Sequence, residues 1–181
     1  IKNSDFKKNN ILESLFYAKK YFNRNLLISY SDIIFEQSIV KKLLDCKNDI
    51  SLLTDINWKK NYINRSLHPI SQAENVYFSK NHEILKIGKN LLEGESNGEF
   101  IGMLKLSING SKFFLKYYNI AKKMFKNNRF YNSANIKNAY ITDFITFLIE
   151  HNIRIKSVPI KNKWLEIDTV QDYKKAKNFY K

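Results

Sequence analysis

At 181 residues, with 44% hydrophobic and 14% aromatic residues, the chain holds enough apolar surface for one packed core and too much for a disordered chain. No apolar run approaches the roughly 20 residues that cross a bilayer, and one cysteine, Cys46, excludes an internal disulfide. We therefore expect a soluble, cytoplasmic protein, with Cys46 as a buried thiol in an apolar helix. The formal charge is +14, from 31 Lys and Arg against 17 acids, which favours anionic partners. Nearly all of that excess is Lys spread along the chain among many Asn and Ile, as AT-rich coding produces. A nucleic-acid surface would cluster its charge and interleave it with Arg and aromatics.

In chain order, Asn10 can cap a helix running through Ile11, Leu12, Leu15, Phe16 and Phe22, and residues 26–30 read as a buried strand ending at Ser31-Asp32. A helix carrying Ile39, Val40, Leu43 and Leu44 follows, then a strand over 50–54 ending at Asp55, which together make one βαβ unit. Residues 57–65 predict a short helix that His68-Pro69 ends, because the residue before proline is pushed out of the α region. Alternation over 74–79 and 83–89 around Lys80-Asn81-His82 predicts an antiparallel hairpin, with another strand over 99–107. Helices over 111–127 and 138–152 and strands over 154–160 and 163–167 follow. Thr169 with Asp172 three residues on is a capping-box start for a last helix over 170–180. Short apolar strands alternating with longer helical patterns give an α/β class, a Rossmann-like three-layer domain with a mixed, mostly parallel sheet.

Asp32 falls where a buried parallel strand ends, the rim at which open α/β sheets bind ligands, and a carboxylate there can hold Mg²⁺. A turn aspartate capping the next helix is the plainer alternative. In Trp164-Leu165-Glu166-Ile167-Asp168-Thr169, strand alternation puts Trp164, Glu166 and Asp168 on one face. Two acids and an indole facing one way make a wall suited to a cationic substrate beside a metal, or else a solvent-facing edge. Residues 94–102 gather three of the five glycines with Glu95 and Glu99, without dinucleotide-fingerprint spacing; a tight loop into a strand explains them equally well. Asp55 shares the strand-end placement of Asp32 and could line the same crevice, although capping the helix over 57–65 explains it better. His68, His82 and His151 have no metal-ligand spacing and receive no role. No nucleophile elbow, Cys-His pair or P-loop is present.

The segments 28–35 (Ile-Ser-Tyr-Ser-Asp-Ile-Ile-Phe), Leu53-Thr54-Asp55 with Trp58, Tyr62 and Arg65, Gly98-Glu99-Phe100-Ile101-Gly102-Met103, and the Trp164-to-Thr169 run with Asp172-Tyr173 carry a resemblance. Taken in order, they resemble nucleotidyltransferases of the nucleotide-diphospho-sugar transferase fold. They are most similar to the CTP-dependent branch acting on phosphocholine, 2-aminoethylphosphonate and phosphoglutamine, nearly end to end. That resemblance implies that Asp32 and Asp168 bind Mg²⁺ and serve catalysis, and that Tyr30 and Ser31 line the nucleotide site. It also implies that Asp55, Glu99, Trp164 and Glu166 meet the acceptor, the last two facing its amine. The family opens with a strand and a Gly-rich loop ending in Pro-Lys, and this sequence starts at Ile1 past that point. The resemblance thus implies one nucleotidyltransferase domain over 1–181 that lacks its first strand and phosphate loop, and little turnover by the isolated chain.

The implied reaction is attack of an acceptor phosphate or phosphonate oxygen on the α-phosphorus of CTP, releasing pyrophosphate. An anionic acceptor needs no general base, so rate comes from positioning and charge neutralisation. Expected partners are a nucleoside triphosphate, CTP foremost, and a small phosphorylated or phosphonate acceptor bearing an amine, with a homodimer open and no nucleic acid or membrane. A sugar-1-phosphate nucleotidyltransferase, a basic non-catalytic protein that binds RNA or an acidic partner, and an inactive fragment are the rival readings.

Overall fold

Every side chain of β3 (Ile50–Asp55) is buried, as a strand covered on both faces requires, and the sheet built around it carries the candidate site. In the computed structural model, which describes residues 1–89 and 91–180, the chain forms two compact units: Ile1–Leu26 with Leu106–Arg154, and Leu27–Lys105 with Ile155–Lys181. The second holds a six-stranded mixed sheet in the order β5 (Ile84–Gly88), β4 (Asn75–Phe78), β6 (Gly98–Leu106), β3, β7 (Lys156–Ile160), with β1 (Leu26–Ser29) paired to β6. β3 and β7 run parallel, from Ser51 opposite Lys156 to Asp55 opposite Ile160. β4 is antiparallel to both β5 and β6, so the expected hairpin forms.

The two strands of the expected βαβ unit share that sheet without being neighbours. β1 pairs with β6 rather than β3, with Tyr30 N–H donating to Gly102 O at 2.8 Å. Local periodicity identifies strands, but which of them pair is decided by residues far along the chain. A second, two-stranded ladder was legible in one strand only: β8 (Trp164–Glu166), within the strand expected over 163–167, pairs antiparallel with β2 (Ile33–Phe35), Ile33 facing Glu166 and Phe35 facing Trp164. The three residues of β2 are too few for alternation to show.

α2 (Gln37–Asp45) buries Ile39 and Leu43 in a cluster with Leu53, Ile101, Met103, Val158, Ile160 and Trp164. Each such aliphatic side chain stabilises the fold by about 1.5–3 kcal/mol relative to exposure. Cys46 lies just past α2, partly buried, and its sulfur accepts a hydrogen bond from Ser51 Oγ, rather than sitting inside the helix. The expected helix over 57–65 is a 3₁₀ turn at Trp58–Tyr62. α5 (Val170–Ala176) starts at the Thr169–Asp172 capping box, as expected, but is shorter than 170–180.

In the first unit, Asn10 caps α1 (Ile11–Phe16), which stops before Phe22 because a 3₁₀ turn at Lys19–Tyr21 follows. Phe16 stacks on Tyr118 at 3.6 Å and meets Phe144 edge-on. Those rings project from α3 (Ile108–Phe125), capped by Ser107, and α4 (Ile141–Glu150). No helix among the described residues is long and apolar enough to cross a membrane.

Candidate active site

The β2–β8 ladder decides where the two candidate metal carboxylates lie. Its register continues past Ile33 and Glu166, so that Ile167 N–H donates to Asp32 O at 2.8 Å. Asp32, on the turn between β1 and β2, therefore faces the segment that leads from β8 through Asp168 into α5, and both aspartates are exposed. Residues 136 positions apart are brought to one rim by a ladder of three residue pairs. The negative charge of Asp32 also acts on Glu166 and on Tyr30.

Arg65 organises the acids around that rim. The residue is 7% exposed, and its guanidinium grips Asp172 with a fork, Nε to Oδ1 at 2.7 Å and NH2 to Oδ2 at 2.9 Å. It also reaches Glu166 Oε2 at 3.2 Å, lies 4.0 Å from Asp168 Oδ2, and sits over the Tyr62 ring. Burial works to raise the Asp172 carboxyl, but the bonds from Arg65 and Thr169 outweigh it and hold the group below the usual carboxylate range. Asp172 Oδ2 in turn accepts from Thr169 N at 3.0 Å and Thr169 Oγ1 at 2.8 Å, which fixes the backbone beside Asp168.

His68, given no role from the sequence, belongs to this cluster: Nδ1 is 2.7 Å from Asp168 Oδ2 and Nε2 is 3.7 Å from Glu166 Oε2. Burial, with Arg65 nearby, holds its imidazole below the ordinary value. A single histidine before a proline gives no local sign of partners a hundred residues away; its closeness to Arg65, a carrier of the resemblance, was the one available hint.

Glu99, near the start of β6, is 3% exposed. Its Oε1 accepts a short hydrogen bond from Tyr62 Oη, while Oε2 has no hydrogen-bond partner among the described residues. Burial raises Glu99 to about 8, and the charges of Glu166, Asp55 and Glu74 add to the rise. Glu166 is raised to about 7, by burial first and then by Asp168. Together with Asn61 and Arg65 these two acids line one small cleft.

Other expected site residues are placed differently. Trp164 is 5% exposed and belongs to the core, its Nε1 donating to Asp55 Oδ2 at 2.9 Å, and it reaches the cleft only as part of its wall. An indole N–H needs a partner when buried, and Asp55 supplies it. Asp55 is itself fully buried and spends both oxygens, accepting also from Asn57 N at 2.8 Å and Asn162 N at 3.2 Å; it ties loops together instead of meeting an acceptor. Tyr30 donates to Glu74 Oε2 at 3.1 Å, and its ring occupies the space beside Gly102, whose φ of +78° and 2.4 Å clearance explain that glycine. Ser31 is exposed on the turn next to Asp32. Of the glycine-rich stretch, residues 93–95 form a 3₁₀ turn leading toward β6.

The result is a patch where Asp32, Glu166, Asp168 and Asp172 outnumber Arg65 and Lys175, on a chain of charge +14. Local negative charge in a basic protein points to a cation at this rim.

Comparison with known proteins agrees with this geometry. The chain is 29% identical over 177 residues to the CTP:phosphoglutamine cytidylyltransferase of Campylobacter jejuni, covering 94% of this chain and 68% of that protein. The chain is cytidylyltransferase-like: it resembles nucleotidyltransferases in sequence and in fold. Among solved structures, the inositol-1-phosphate CTP transferase of T. maritima shares this cytidylyltransferase-like fold with a TM-score of 0.67 at 19% identity over 95% of the chain. A Bacillus anthracis protein assigned as a glucose-1-phosphate thymidylyltransferase shares it with a TM-score of 0.61 at 15% identity over 93%. The chain spans 60% and 59% of the lengths of those two. No protein-family model matches it.

Proposed function

We propose that the protein containing this chain transfers a cytidylyl group from CTP to the phosphate or phosphonate of a small amine-bearing acceptor, giving a CDP-linked product and pyrophosphate. The observation that carries this reading is the hydrogen bond from Ile167 N–H to Asp32 O, which puts Asp32 and Asp168 at one rim of the sheet. The cytidylyltransferase relative supports CTP as donor and a phosphorylated acceptor.

Mg²⁺ fits the donor set: Asp32 and Asp168 are exposed carboxylates, and hard oxygen ligands with room for water and phosphate are what that ion takes. When bound, it would neutralise charge on the α-phosphate as pyrophosphate leaves. Asp32 and Asp168 would hold it; Asp172 and Arg65 keep the Asp168 backbone in place. Ser31, beside Asp32, can donate to a phosphate oxygen. Glu166, partly exposed at the rim, offers a hydrogen-bond acceptor for an acceptor's ammonium; with Trp164 and Glu99 buried, amine recognition falls to it. No side chain need remove a proton, because the attacking phosphate oxygen is already anionic at neutral pH.

The test is pyrophosphate release by the full protein with CTP and Mg²⁺, offering aminoethylphosphonate, phosphocholine, phosphoglutamine and glucose-1-phosphate as acceptors. Product should form with at least one amine-bearing acceptor, and Asp32→Asn and Asp168→Asn should each lower the rate on the order of 10²-fold or more. Near-normal rates in both variants would refute the assignment. Product from glucose-1-phosphate alone would move the protein to the sugar-phosphate group. No product, with tight and steeply salt-dependent RNA binding, would favour a basic binding protein instead.

A further inference from the structure

His68 makes a hydrogen bond that the fold around it does not require. The segment before it is already tied down by α5. Gln171 Oε1 accepts from Ser66 N at 3.1 Å, and Gln171 Nε2 donates to Asn64 O at 2.5 Å. Lys175 Nζ reaches Ile63 O at 3.4 Å, and Arg65 holds Asp172 with its two-bond fork. With residues 63–66 anchored by other side chains, the imidazole is left to serve the group it touches. That group is Asp168, whose Oδ2 lies 2.7 Å from His68 Nδ1.

Asp168 has little else to set its carboxylate. It stands between β8 and α5 with a side chain 32% exposed. The Thr169–Asp172 capping box fixes its backbone, and Asp168 N–H donates to Asp172 Oδ2 at 3.3 Å, but neither contact stops the side chain from turning. Arg65 stands off at 4.0 Å, beyond hydrogen-bond reach. Among the described residues the bond from His68 is the one that holds the carboxylate. It engages Oδ2 and leaves Oδ1 for a ligand. An ionised carboxylate only accepts, so Nδ1 carries the hydrogen whether the ring is neutral or charged. Nε2, 3.7 Å from Glu166 Oε2, is too far for a hydrogen bond, so the ring takes its orientation from Asp168.

We infer that His68 is a positioning residue for nucleotidyl transfer: by donating from Nδ1 to Oδ2 it presets the rotation of the Asp168 carboxylate and keeps Oδ1 free for the reaction. This rests on the reading that Asp168 serves the transfer. Partners that hydrogen-bond a working carboxylate in this way typically matter about 10–100-fold in activity or ion affinity.

The experiment compares two polar variants of the full protein, each checked for folding by circular dichroism. His68→Asn keeps an N–H donor near the position of Nδ1; His68→Gln places its donor near Nε2. A role in loop structure alone would treat the two alike. With CTP and an acceptor that gives product, His68→Gln should lower kcat about tenfold or more while the KM for the acceptor stays within about twofold. His68→Asn should keep kcat within about threefold of the parent. Mn²⁺ affinity of the CTP complex, read by electron paramagnetic resonance, should follow the same order. Nitrogen NMR of the neutral ring, with neither ion nor nucleotide, should find the hydrogen on Nδ1 in the parent and on Nε2 in Asp168→Ala. Equal kcat in the two His68 variants, or a parent ring carrying its hydrogen on Nε2, overturns the inference. A large loss in Asp168→Ala with none in His68→Gln also overturns it while sparing the proposed function. Near-normal turnover in Asp168→Ala removes the reading it rests on, and the inference with it. If no acceptor gives product, the proposed function fails, and the Mn²⁺ order and the ring tautomer still decide this inference.

Discussion

Replacing Arg65 with alanine strikes the most connected residue of the site. Arg65 and Asp172 have side chains 5% and 4% exposed, with Nε and Oδ1 2.7 Å apart, so neither charge can be rehydrated where it stands. Removing one member of such a pair leaves the other uncompensated, at a cost of about 3–5 kcal/mol. Losing the guanidinium from over Tyr62 adds about 0.5–1 kcal/mol, and the half-wet contact with Glu166 adds little. Urea unfolding at pH 7 should therefore show a loss of about 4 kcal/mol. Replacing Arg65 and Asp172 together by apolar residues should cost less than Arg65→Ala alone, short of the roughly 1 kcal/mol lost with the Thr169–Asp172 capping box. The Asp172 carboxyl is held below its usual range, so its contribution is present above about pH 4 and fades as pH falls through the lowered value. A single-variant loss under about 1.5 kcal/mol, or no coupling between the two positions, would refute the reasoning.

Burial raises Glu99 from 4.5 to about 8, which reverses the sign of its pH dependence. The folded protein holds the proton more tightly, so stability is complete below about pH 4.5 and lost as pH rises through about 8. Glu99→Gln should abolish that slope, with a gain at pH 9 of at most about 5 kcal/mol, at roughly 1.4 kcal/mol per pH unit; parallel chemical-denaturation series from pH 5 to pH 9 check it. Gly102→Ala puts a methyl 2.4 Å from the Tyr30 ring at a φ of +78°, and should cost about 2 kcal/mol or more in the same assay. Trp164→Phe removes the indole donor from fully buried Asp55 and should cost about 1–3 kcal/mol, read as a lowered melting temperature.

Local chemistry made much of this legible. Asn10, Thr169 and Asp172 announce their caps, and Ile50, Leu52 and Leu53 mark β3 as a strand. Strand ends placed Asp32 and Asp168 at one rim of the sheet. Partners across long distances stayed hidden. Trp164 and Glu166 share a strand face, yet the indole is buried against Asp55 while Glu166 stays partly open, because alternation sets direction and the neighbouring loops set what lies there. His68 escaped for the same reason: its partners, Glu166 and Asp168, arrive from the other end of the chain. The β1–β6 pairing escaped because hydrophobic pattern identifies strands without saying which pair.

Anomalous diffraction from crystals of the full protein grown with Mn²⁺ and a non-hydrolysable CTP analogue tests the shared-ion claim most directly. A manganese peak should lie within about 2.3 Å of one carboxylate oxygen from each of Asp32 and Asp168. A peak that touches neither or only one of them, with the analogue bound elsewhere, would contradict it.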